Sequence, residues 1–186
     1  MVGRLSDIHN QEDLLNVLTT LRMAAVYDIF GQTLLHNFYK DVAAGNADAS
    51  VLIATLPEGN ITLKQFTDQL NGLNDRALVE TKRNANRALT RNLFKESFRI
   101  TQAYCWSSSQ LKALRAEDWY EFARIVSNCL SHNFRLEFRP YDHSRLPVSY
   151  NGVTIDRSFD GQPISMKLEI LINLVDELIA FARTIH

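Results

Sequence analysis

The chain has 186 residues, 46% of them hydrophobic and 22% charged, which suits one globular domain with a sizeable core and leaves little room for two. Its 20 lysines and arginines against 21 aspartates and glutamates give a net charge of -1, so no global field draws it to nucleic acid or to an anionic membrane, and any such contact needs a local basic patch. Two cysteines, Cys105 and Cys129, exclude a disulfide framework, lack metal-type spacing, and read as small hydrophobes in helices.

Residues 1–7 lack the apolar core of a signal peptide and no run reaches the length of a bilayer span, so a cytoplasmic protein with no membrane partner is expected. From Gln11 to about Tyr39, apolar residues at helical spacing, among them Leu14, Leu18, Leu21, Val26, Ile29 and Phe30, predict a long core helix bent near Gly31. Residues 41–60 predict a connection around a short apolar turn, Val51 to Leu56. Thr62 and Gln65 have the spacing of a capping box, which predicts a helix to about Leu70, interrupted by Asn71-Gly72.

From about Asn74 to Trp106 there is neither Pro nor Gly, and the composition favours one long helix. Ser107-Ser108-Ser109 breaks it, and Glu117-Asp118 introduce the next, whose pattern extends through Arg135. Arg139-Pro140-Tyr141-Asp142-His143 reads as a loop. Val148-Ser149-Tyr150 and Val153-Thr154-Ile155 then flank Asn151-Gly152, the strongest short hairpin signal. Asp160-Gly161 marks a second turn, and Ser165 is placed to cap a last helix running through Ile185. The expected fold class is all-α: a helical bundle with a small β-hairpin between its last two helices, one domain over 1–186 with 144–164 as the insertion before the final helix.

Two arrangements carry chemistry. Taking Arg124 as zero and about 100° per residue, Arg135, Asn128, Glu121 and His132 fall at roughly 20°, 40°, 60° and 80°, one polar face on a helix otherwise built for burial. Arg83, Arg87, Arg91, Lys95 and Arg99 recur every four residues, a ladder of cations spanning roughly 24 Å that can track a phosphate backbone or form a solvated face. His143, beside Asp142, is a loop histidine within reach of the stripe or a plain surface pair. No His/Cys cluster has structural-metal spacing and no glycine-rich phosphate loop is present, so neither metal nor cofactor is expected.

The order of elements, with Ser127-Asn128-Cys129-Leu130-Ser131-His132-Asn133-Phe134, resembles the HEPN superfamily of higher-eukaryote and prokaryote nucleotide-binding domains. RNA-cleaving members carry an arginine, often followed by asparagine, and a histidine four to six residues after the arginine; here Asn128 and His132 match and Ser127 stands in the arginine's place. The resemblance implies a homodimer with both motifs lining one cleft, and metal-independent attack of a ribose 2′-hydroxyl on the adjacent phosphate, in a toxin, stress or phage-defence setting with an antitoxin or other protein partner.

That chemistry needs an imidazole to move a proton and a guanidinium to stabilise the phosphoryl oxygens. His132 supplies the first, Asn128 orients a phosphate or the imidazole, and Arg124 or Arg135 is the candidate substitute for the missing arginine. Two other readings stay open: a catalytically silent HEPN-like domain binding RNA or nucleotide through the ladder, and a helical interaction protein whose polar stripe is a dimer seam.

Overall fold

The computed structural model describes residues 8–47, 53–56, 59–62, 65, 68, 72, 75–164 and 166–185. It is mostly helical, and its contacts divide the chain into two compact units where the sequence predicts one domain: residues up to Ala25 together with those from Ala88 onward, and Val26–Arg87. The first helix, α1 (Gln11–Ala43), begins with a reciprocal cap, in which the Asp13 amide donates to Asn10 Oδ1 at 2.9 Å and the His9 amide to Asp13 Oδ2 at 3.0 Å.

The larger unit is a helical core. Leu14, Leu18, Leu21 and Ala25, at spacings of three and four, are the buried face of α1. The predicted long helix is found from Asp75 to Ser107, but it is not uniform: α2 (Asp75–Thr90) passes through a π-helical turn (Arg91–Lys95) into α3 (Glu96–Ser107). A π turn closes each ring with one extra residue, and both Leu93 and Phe94 are buried in it. Ser97 and Thr101 are fully buried on α3 and donate to the carbonyls of Leu93 and Ser97, one turn back, which satisfies both hydroxyls.

After α4 (Leu111–Ala116), α5 (Tyr120–Ser131) buries Phe122, Ala123, Ile125, Val126, Cys129 and Leu130 while Glu121, Arg124 and Asn128 stay half-buried. A single turn, α6 (Pro140–His143), replaces the expected loop. The predicted hairpin is present as β3 (Val148–Tyr150) and β4 (Val153–Ile155), Tyr150 facing Val153 across the turn. Asn151 and Gly152 both have positive φ, 50° and 78°, the requirement of the tight turn that this dipeptide favours. A short 3₁₀ turn (Arg157–Phe159) follows, and Gly161 has φ 72° at the predicted second turn.

The last helix, α7 (Leu168–Ala182), has Lys167 at its N-cap in place of the predicted Ser165, which lies outside the described residues, and it ends before the predicted Ile185. Aromatic contacts join the elements: Phe98 to Tyr120 at 5.8 Å, Phe122 to Tyr150 at 5.6 Å and Trp119 to Phe181 at 6.4 Å between ring centres.

In the second unit the expected connection holds a second hairpin, β1 (Ile53–Leu56) and β2 (Gly59–Thr62), paired antiparallel. Its strands are four residues each and lack alternation, so periodicity did not mark them. The Thr62–Gln65 capping box is formed in both directions, the Gln65 amide donating to Thr62 Oγ1 at 3.1 Å and the Thr62 amide to Gln65 Oε1 at 2.8 Å. Gln65 and Asp68 are helical, and most of the predicted helix around them lies outside the described residues, as do residues 1–7; of the predicted Val51–Leu56 turn, Val51 and Leu52 lie outside them and the rest is strand β1.

One expectation is corrected. Among the described residues the stretch Gln11–Gly31 is long and apolar enough to cross a membrane, with mean hydropathy 1.2. Core helices that pass the same test are mostly buried, whereas 22% of this window is, the face Leu14, Leu18, Leu21 and Ala25 among it.

Candidate functional site at the end of α5

The polar stripe is formed only in part. The helix ends at Ser131, and His132 is its C-cap, with φ -97° and ψ 43°. Asn133 and Phe134 then take φ 55° and 64°, and the Phe134 amide donates to Cys129 O at 2.9 Å, the six-to-one bond of a Schellman ending. Asparagine tolerates that left-handed position better than other non-glycine residues, so Asn133 is the stop signal that a count of helical angles carried through to Arg135 passes over. Consequently Glu121, Arg124 and Asn128 share a helical face, whereas His132 and Arg135 belong to the turn.

Arg124 is engaged elsewhere. Its Nε donates to Glu121 Oε2 at 2.8 Å, its Nη2 to Asp142 Oδ1, and its guanidinium lies 4.9 Å from the Tyr141 ring centre. Burial lowers its pKa, and the hydrogen bonds it donates to Asp142 and Glu121, with their negative charge, outweigh that effect, so the net shift is upward. Asp142 is 2% exposed and also accepts the Arg139 amide at 2.7 Å, so the pair fastens α6 to α5. Arg135 donates through Nη1 to Gly161 O at 2.8 Å, beside a short pairing of two segments in which the Leu136 amide donates to Gln162 O and the Ile164 amide to Phe134 O, each at 2.9 Å.

What the turn does gather is a ladder residue. Arg91, from the π turn, donates through Nε to Leu130 O at 3.1 Å and through Nη2 to Asn133 Oδ1 at 3.4 Å, and its guanidinium lies 5.3 Å from the Phe134 ring centre. Those acceptors flank His132 in the chain, and both are neutral, so the hydrogen bonds hold the guanidinium without cancelling its charge. His132 Nδ1 lies 3.1 Å from Glu137 Oε2, and the imidazole side chain is 41% exposed. A carboxylate facing Nδ1 favours the tautomer with its proton there, leaving the Nε2 lone pair for chemistry. Sequence reasoning did not join Arg91 to His132, 41 positions apart, and did not single out Glu137; the spacing of neither residue carries that signal.

The other ladder positions divide. Arg83 and Arg87 belong to the second unit, and Arg83 Nη1 meets Glu80 Oε1 at 3.4 Å. Arg99 donates to Glu96 at 2.7 Å, while Lys95 is half-buried. His143 lies 4.0 Å from Asp160 and edge-on to Phe138 at 5.9 Å, while Asp142, its neighbour in the expected surface pair, is buried against Arg124.

Asn128 lines a crevice with Ile125, Cys129, Leu136, Glu137, Phe138 and Asp142 that has no room for a water molecule. It encloses no small ligand, so a ligand here would be held at an open surface. Burial pushes the Cys129 thiol up to about 12 and the Cys105 thiol up to about 11, which keeps both protonated and inert at neutral pH. Among the described residues no group of three or more His, Cys, Asp or Glu side chains is placed to hold a metal ion. Compared with family models, curated proteins and solved structures, the chain matches none.

Proposed function

We propose that the chain is a cytoplasmic HEPN-like RNA-interacting protein that cleaves RNA at the turn closing α5, with Arg91 in the role of the arginine that Ser127 lacks. The observation that supports this reading is the anchoring of Arg91 on Leu130 O and Asn133 Oδ1, either side of His132, with no carboxylate partner in those bonds. A guanidinium held in that way is pre-organised to stabilise charge on a phosphoryl oxygen.

His132 Nε2 takes the proton of the ribose 2′-hydroxyl, O2′ attacks the adjacent phosphorus, and the P–O5′ bond breaks. The leaving oxygen receives a proton, yielding a 2′,3′-cyclic phosphate and a 5′-hydroxyl. Glu137 orients the imidazole from Nδ1 as a positioning residue. Arg124 takes no part, because two carboxylates neutralise it. A homodimer would supply a second imidazole as the acid.

The test is cleavage of end-labelled single-stranded RNA in EDTA by the wild type and His132→Ala, with the product ends identified. The expected outcome is cyclic-phosphate products from the wild type and a loss of about 10²-fold or more in the folded variant. Salt-sensitive binding without turnover would replace this reading with the silent RNA-binding domain.

A further inference from the structure

Within the larger unit an open cleft of about 720 Å³ lies between the start of α1 and the end of α3. His9, Asn10 and Gln11 line it from α1, and Tyr104, Ser107 and Ser108 from α3. None of them belongs to the turn that closes α5, and the volume is in the range of sites that hold small molecules.

The residue that points to a ligand is Tyr104. It is 7% exposed, and among the described residues its hydroxyl has no hydrogen-bond partner. A tyrosine buried this far ordinarily satisfies its O–H within the protein. Among the described residues no enclosed side-chain oxygen lacks a partner, so this hydroxyl opens to the surface, and the surface that Tyr104 lines is the cleft.

We propose that the cleft binds an uncharged, polyhydroxylated small molecule of mono- or disaccharide size, with the Tyr104 hydroxyl as its buried anchor. Charge decides against an anion. Glu12 and Asp13 occupy the first turn of α1 and already answer its positive end, and no lysine or arginine is among the described residues lining the cleft. Hydrogen-bonding capacity favours hydroxyls. Ser107 and Ser108 both donate through Oγ to Tyr104 O, at 2.9 and 2.8 Å, which leaves their lone pairs as acceptors. Gln11 spends Nε2 on Ala182 O at 2.9 Å and keeps Oε1 as an acceptor. Asn10 accepts the Asp13 amide through Oδ1 at 2.9 Å and keeps its Nδ2 hydrogens as donors. A sugar hydroxyl donates and accepts at once, so it matches a lining with free acceptors, free donors and a phenol that serves as either. A flat heterocycle fits less well, because the buried Tyr104 ring offers it no face to stack on.

The test follows the backbone amide shifts of the full chain at neutral pH during titration with glucose, galactose, ribose and maltose, and with uridine and inorganic phosphate as contrasts. At least one sugar should shift the amides of His9, Gln11, Ser107 and Ser108, with a Kd of about 0.1–10 mM as suits an open cleft. Tyr104→Phe should raise that Kd at least about fivefold. Its urea midpoint should stay unchanged, because the hydroxyl it removes is unpaired in the free chain. Ser107→Trp, at an exposed position, should fill the cleft and abolish the shifts. No shift with any of the sugars at about 50 mM overturns the proposal, as does a Kd that Tyr104→Phe leaves in place. Tighter binding of uridine or of phosphate than of every sugar also overturns it, and would assign the cleft to a heterocycle or to an anion.

Discussion

Asn133 and Phe134 hold adjacent left-handed backbones directly after His132, and for a phenylalanine that conformation costs on the order of 1–3 kcal/mol. The Arg91 contact with the Phe134 ring and the hydrogen bond from the Phe134 amide to Cys129 O hold the turn in place. Strain held by surrounding contacts beside an exposed imidazole is consistent with the proposed site. The buried thiols give a separate test at this scale. Cys129 and Cys105 titrate near 12 and 11 in the folded chain against 9.0 ordinarily, and Tyr150, pushed up to about 12 by burial and by Glu177, acts in the same direction. The unfolded chain therefore loses these protons first, so stability is retained below pH 9 and falls as pH rises through those values. The urea midpoint should decline above pH 9, less steeply in Cys129→Ala, and native thiols should react with iodoacetamide at least about tenfold slower than in denaturant. Fast native labelling would contradict the burial argument.

Between elements, the bond that matters most is the one fastening α6 to α5. Arg124 and Asp142 are largely buried, with side chains 16% and 3% exposed, so removing Asp142 leaves a buried guanidinium with Glu121 as its remaining carboxylate and takes away the acceptor of the Arg139 amide. Asp142→Ala should cost about 1.5–3 kcal/mol in urea denaturation, and Arg124→Met with Asp142→Leu should recover part of it. That double variant should also keep RNA cleavage, because Arg124 is structural in this account. A cost below about 1 kcal/mol, the value of a surface pair, would show that Asp142 is hydrated. The sequence could not announce this pair: Arg124 looked like a member of a helical stripe, and its partner stood 18 residues on in a segment that read as loop. Local devices were legible for the opposite reason. Asn151-Gly152 and the Thr62–Gln65 box each act through neighbouring residues, and both formed as their chemistry requires. The π turn was not legible, since absence of Pro and Gly promises a helix but does not fix how many residues close each ring.

For the whole molecule, the helical class and the late hairpin followed from periodicity, while the division at Val26–Arg87 did not, because α1 and α2 run through both boundaries without a break in composition. The candidate site was half legible. His132 and Asn128 came from the motif, but the cation proposed for it, Arg91, comes from a helical turn distant in sequence, and its bond to Leu130 O became visible only once the end of α5 was in place. The measurement that most directly tests the claim that Arg91 and His132 form one site is a double-mutant cycle of single-turnover RNA cleavage, using Arg91→Lys, His132→Ala and the pair, each confirmed as folded. Groups that act as a unit are strongly non-additive. The account predicts a loss of about 10-fold or more in Arg91→Lys and no further loss when it is added to His132→Ala. Wild-type cleavage unaffected by Arg91→Lys would contradict it, leaving Arg91 as only a cap on α5.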